Sequence, residues 1–123
     1  MNLTLDFIGA ISKNRVFQCE LSMEPTFEQA EELAGIFHLL GDVNRLRLIC
    51  ACLEEAVCVQ DLADRFSLPP SLVSHHLRLL KAARIMRAER RGKQVFYTVN
   101  DEHVRRVLSD MTIHVAEDTG GER

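Results

Sequence analysis

Tryptophan is absent from this chain, tyrosine occurs once, and proline occurs only three times in 123 residues. The remaining aromatics are six phenylalanines, and the aliphatic residues recur at helical spacing, which points to a helix-rich fold. No run of about 18 apolar residues occurs, which excludes an apolar membrane-spanning helix. Met1 to Ser12 lacks the basic start and long apolar centre of a secretory signal, so the expected location is the cytoplasm. There Cys19, Cys50, Cys52 and Cys58 are expected to be reduced thiols. No internal repeat is found.

What is present fits one soluble compact domain: 46% hydrophobic and 27% charged residues. At this length burial is modest, and pairing two copies would help to stabilise the fold. The formal net charge is −3, which at first argues against a nucleic-acid partner. The distribution reverses that. Between Arg78 and Lys93 stand Arg78, Lys81, Arg84, Arg87, Arg90, Arg91 and Lys93 against the single acid Glu89. Phosphate attraction depends on local field, so a basic segment on an acidic body suits DNA.

Residues 1–24 show no clean period and read as an N-terminal arm. Residues 25–118 form the domain, and 119–123 a polar tail. Pro25-Thr26 followed by Gln29 predicts a helix start, with Thr26 as N-cap and Gln29 reaching back. Leu33, Ile36, Phe37 and Leu40 then fall on one face, ending at Gly41-Asp42. A second helix is predicted from Val43 to Glu55. Val59 to Phe66 and Ser71 to Ala83 follow as two short helices around Ser67-Leu68-Pro69-Pro70, the spacing of a helix-turn-helix. Pro70 suits the first turn of the second, where a missing N–H costs nothing.

After Arg84 the period changes. Ile85–Glu89 and Gln94–Val99 read as strands, joined through Arg90-Arg91-Gly92-Lys93 as a hairpin tip. Asn100-Asp101 caps a last helix through roughly Glu117. The predicted fold is mainly α with a small β-hairpin: a winged helix-turn-helix, expected to be dimeric.

A helix entering the major groove needs short polar and basic side chains on its outer face. Ser71, Ser74, His75 and Arg78 meet that need, with Val73, Leu77 and Leu80 as the seating stripe. Arg90, Arg91 and Lys93 at the wing would meet phosphate or the minor groove. The expected partner is double-stranded operator DNA, and no membrane partner is expected.

Asp101, His103, His114 and Glu117 are oxygen and imidazole donors of the kind that hold zinc, cobalt or nickel. His103 and His114 share a helix face, and His114 and Glu117 stand three apart. Eleven residues of helix put the two histidine backbones roughly 16 Å apart, too far for one straight helix to close a site. Two antiparallel copies would close it, with Asp101 and His103 from one chain meeting His114 and Glu117 from the other. That arrangement gives two equivalent sites across a two-fold homodimer.

Four segments, in order, resemble the ArsR/SmtB repressors: Asp42-Val43-Asn44-Arg45-Leu46-Arg47-Leu48, Cys58-Val59-Gln60-Asp61-Leu62-Ala63, Val73-Ser74-His75-His76-Leu77 and Arg91-Gly92-Lys93. The resemblance covers roughly residues 28–117. It implies a dimer that blocks a promoter and leaves it when an inducer binds, and a zinc-sensing set matching Asp101, His103, His114 and Glu117. Pro69 departs from the pattern, standing where these proteins often place a hydroxyl cap. The resemblance also implies a second site for thiophilic ions such as Cd2+, built from Cys58, Asp61 and Cys19, although Gln60 replaces the second cysteine of arsenic- and cadmium-sensing members.

An alternative is a thiol-based sensor of cadmium-like ions, oxidants or persulfides. Cys50 and Cys52 stand two apart on a helix and project in different directions, so they do not pair easily, and Cys50 fits an apolar face. His38 and His76 read as structural or surface residues. A metal-dependent hydrolase is disfavoured, because no nucleophile motif accompanies the ligands and a four-ligand site leaves no open position. No enzymatic activity is expected.

Overall fold

The computed structural model describes residues 23–120, with side chains to Glu117. The elements are α1 (Phe27–Leu40), α2 (Val43–Ala51), β1 (Val57–Cys58), α3 (Val59–Phe66), α4 (Pro70–Ala82), β2 (Met86–Arg91), β3 (Gln94–Val99) and α5 (Glu102–Gly120). By contact the chain divides into two units, 1–34 and 35–123. In the first, the start of α1 is fixed by a reciprocal capping box. The Gln29 amide donates to Thr26 Oγ1 at 3.1 Å, and the Thr26 amide donates to Gln29 Oε1 at 2.9 Å.

The second unit holds the core, whose fully buried side chains include Leu48, Ile49, Leu62, Val73, Leu77, Leu80, Ile85 and Met86. These come from α2, α3, α4 and the entry to the hairpin, so burying them seats α4 on the body. Helix α2 stops at Ala51, short of the predicted Glu55. Cys52 leaves helical geometry and its carbonyl accepts from the Val99 amide at 3.1 Å. That frees Val57-Cys58 to form a two-residue strand, unforeseen in the sequence, pairing antiparallel with Tyr97 and Phe96.

The sheet order is β1-β3-β2. Strand β2 runs on to Arg91, which pairs with Gln94, so the wing turns on Gly92 and Lys93 alone and not on four residues. Gly92 has φ +66°, the sign that a two-residue hairpin of type II′ requires at its first position. Helix α5 continues to Gly120, past the predicted end at Glu117. Among the described residues, no helix is long and apolar enough to cross a membrane.

Candidate nucleic-acid interface and regulatory ligands

Helix α4 divides cleanly along its length. Val73, His76, Leu77 and Leu80 are buried, while Ser71, His75 and Arg78 are exposed and Ser74 is half-buried. At about 100° per residue, the four sequence-predicted DNA residues fall within an arc of about 100° opposite the buried stripe. Pro69 occupies the N-cap and supplies no side-chain hydrogen bond, and Pro70 takes the first turn.

On the wing, strand alternation separates the predicted arginines. Arg91 shares the face of Glu89 and Arg87, whereas Arg90 shares that of Ala88 and Met86. Arg91 is already engaged: its guanidinium lies 3.3 Å from Glu89 Oε1 and 4.5 Å from the Phe96 ring centroid. Lys93 stands exposed in the turn.

Helix α5 is one unbroken run of 19 residues. Its N-cap is Asp101, whose Oδ1 accepts from the backbone amides of His103 at 2.6 Å and Val104 at 3.2 Å. This cap uses one carboxylate oxygen. His103, His114 and Glu117 are exposed and fall within about 60° of one another around the helix. Beside that stripe lie Val107, Met111 and Val115, all exposed. With Leu46 and Cys50 of α2, Met111 and Val115 line an open apolar trough of about 410 Å³.

The residue types fit a borderline divalent ion, and their spacing along one straight helix keeps them apart within one chain. Among the described residues, no group of three or more His, Cys, Asp or Glu lies close enough to hold a metal ion.

Arg105 ties this helix to the body. Its Nε donates to the Leu53 carbonyl at 2.9 Å, and its terminal nitrogens reach the Val99 carbonyl and Glu102 Oε1, each at 3.1 Å. The sequence reading missed Arg105, and no local signal marks it, since its acceptors include a carbonyl 52 residues away.

The cysteines are less available than their number suggests. Cys58 is 3% exposed and occupies the N-cap of α3 without a side-chain bond. It lines a cleft shared with Gln60, Lys93 and Gln94. Asp61 is exposed in the first turn of α3, and Cys19 lies outside the described residues. Burial pushes the Cys52 thiol up to about 12 and raises that of Cys50. Thiol chemistry runs through the thiolate, which both positions suppress at neutral pH.

A helix pair meeting at a short turn, a polar outer face on its second helix and a basic hairpin directly after it define a winged helix-turn-helix DNA-binding regulator. Residues 42–87 match the bacterial regulatory protein family arsR. The chain is 36% identical over 92 residues to the transcriptional repressor SmtB homolog of Synechocystis, across 75% of this chain and 70% of that protein. It therefore belongs to the ArsR/SmtB family of transcriptional repressors, which are DNA-binding regulators and not enzymes.

Among solved structures, the AntR antimony-specific transcriptional repressor superposes with a TM-score of 0.72 at 31% identity, over 83% of this chain and 95% of that one. The homodimeric winged helix-turn-helix DNA-binding domain Mb0332 of Mycobacterium bovis shares the fold, with a TM-score of 0.68 at 19% identity over 80% and 93% of the two chains.

Proposed function

We propose that this protein is a homodimeric cytoplasmic repressor that leaves its operator when zinc, or cobalt or nickel, binds between the two α5 helices. The observation that carries this reading is the pair of adjacent stripes on α5. His103, His114 and Glu117 stand exposed on one, with Asp101 at the cap, and the neighbouring apolar stripe is uncovered. Antiparallel pairing of two such helices would cover the apolar stripe. It would also bring Asp101 and His103 of one chain to His114 and Glu117 of the other.

Bound there, an ion would link the two helices and favour one dimer geometry over others. The protein's part is to keep that geometry rigid: Arg105 fixes α5 to the carbonyls of Leu53 and Val99, so a shift of α5 is passed to the sheet. In the unliganded dimer, Ser71, Ser74, His75 and Arg78 would read base edges and phosphates, with Arg90, Arg91 and Lys93 on the flanking backbone. A coupling of about 1–3 kcal/mol suffices for a regulatory switch.

The test is fluorescence anisotropy of a duplex selected from a random pool by the metal-free protein, titrated with zinc and then chelator. Zinc is expected to release the duplex at two ions per dimer, chelator to restore it, and His103→Ala to abolish the response without unfolding the protein. A duplex that stays bound at saturating zinc would overturn the α5 reading and move the inducer to the thiols.

A further inference from the structure

His76 is the one buried polar side chain of α4, 8% exposed among Val73, Leu77 and Leu80. Its two ring nitrogens face opposite charges. Nδ1 lies 3.3 Å from a terminal nitrogen of Arg45, and Nε2 lies 3.9 Å from Asp42 Oδ2. A guanidinium only donates, so Nδ1 must accept, and the proton of the neutral ring then sits on Nε2, toward Asp42.

Arg45 is itself held from the other side. Its Nε donates to the Leu39 carbonyl at the end of α1 at 2.8 Å. Its backbone amide donates to Asp42 Oδ2 at 3.0 Å, the N-cap bond of α2. One polar chain thus runs from the end of α1, through the start of α2, to the middle of α4.

The apolar contacts of α4 hold it against the body but are non-directional. A bond from a planar guanidinium to a ring nitrogen fixes rotation about the helix axis. That rotation decides where the residues on the outer face stand, beginning with His75, the immediate neighbour of His76.

We propose that His76 is a positioning residue for DNA recognition: through Arg45 it pins α4 to the corner between α1 and α2, and so sets the presentation of Ser74, His75 and Arg78. The proposal rests on α4 being the helix that reads DNA.

A readout specific to this joint follows from its chemistry. Burial is the main cause holding His76 below the ordinary histidine pKa, opposed by the Asp42 charge and aided by Arg45 and His75. A proton added at Nδ1 would turn the acceptor into a donor facing a cation. Below about pH 6.5 the unfolded chain therefore binds more protons at this site than the folded one. The stability it contributes is complete above that value and is lost as pH falls through the lowered folded pKa.

The experiment compares wild type, His76→Gln and His76→Leu at about pH 7.5 and about pH 5.5. It measures anisotropy of the duplex selected by wild type, anisotropy of an unselected duplex, and thermal unfolding without DNA. Glutamine keeps an acceptor for Arg45 and does not titrate. His75 is present in all three proteins.

Expected at the higher pH is near wild-type binding for His76→Gln, and a loss of about tenfold for His76→Leu on the selected duplex only. On acidification, wild type is expected to lose thermal stability and selectivity that His76→Gln keeps. His76→Leu binding the selected duplex like wild type while folded would overturn the proposal, as would His76→Gln following the wild-type acid profile. Should His76→Leu fail to fold, the pH profile of His76→Gln decides alone. Failure of α4 as the reading helix shows separately, as an unfolding profile that behaves as expected while no duplex is selected.

Discussion

Helices α4 and α5 are both amphipathic, yet a single chain completes only one of them. Helix α4 buries Val73, His76, Leu77 and Leu80 in 13 residues. Helix α5 has 19 residues and, of its side chains described, buries Leu108 alone, leaving Val107, Met111 and Val115 exposed. The orientation of α4 is therefore written into one chain. Helix α5, which carries the proposed ligands, presents a surface that one chain does not cover, which is where the proposed dimer-dependent switch would belong.

The sharpest test of that contrast pairs two truncations. Leu77 is fully buried on α4, and Leu77→Ala should cost about 2–5 kcal/mol in urea unfolding. Met111 is 53% exposed on α5, and Met111→Ala should cost less than about 1 kcal/mol at protein concentrations too low for dimers. In sedimentation experiments the same variant should raise the dimer dissociation constant. Equal losses of stability at low concentration would erase the distinction between the two helices.

The same contrast separates what the sequence makes legible from what it hides. Helices α3 and α4 follow from apolar periodicity and from the proline pair, both local signals, and their boundaries agree to within a residue. That His103, His114 and Glu117 share one exposed stripe of α5 is equally legible, since helical spacing alone puts them there. The end of α2 is not, because Cys52 leaves the helix to bond a strand 47 positions later. Strand β1 is likewise invisible: two residues have no period, and Val57-Cys58 becomes a strand only through Tyr97 and Phe96. The roles of Arg45 and Arg105 are hidden too, since Arg45 meets His76, 31 positions on, and Arg105 a carbonyl 52 positions back. Directional polar contacts between remote residues leave no mark at any fixed spacing.

Arg105 offers a middle-sized test, because it is a polar link between α5 and the body. Arg105→Met keeps much of the apolar stem and removes the donors to Leu53 and Val99. The expected cost is about 1–3 kcal/mol in urea unfolding, with little from the half-exposed Glu102 pair. Operator affinity without metal should change less than the zinc response, since α4 has its own anchors. A variant that loses operator affinity and keeps the zinc response would show that this link serves α4 and not α5.

The smallest effect concerns how α4 is bracketed. The connections on either side of it carry a non-glycine residue in the left-handed region, Ser67 at φ 54° and Arg84 at φ 65°. Each closes the preceding helix with a paired motif: Ser67 and Leu68 donate to Asp64 and Ala63, and Arg84 and Ile85 donate to Lys81 and Leu80. Helix α5 begins differently, on the side chain of Asp101. Ser67 is exposed, so Ser67→Gly should relieve backbone strain and raise stability by about 0.5–1 kcal/mol, with operator affinity unchanged. Arg84→Gly should gain a similar amount but weaken binding to any duplex, because it removes a cation from the basic segment. A loss of affinity from Ser67→Gly as well would mean that the turn entering α4 is tuned for DNA and not only for closing α3.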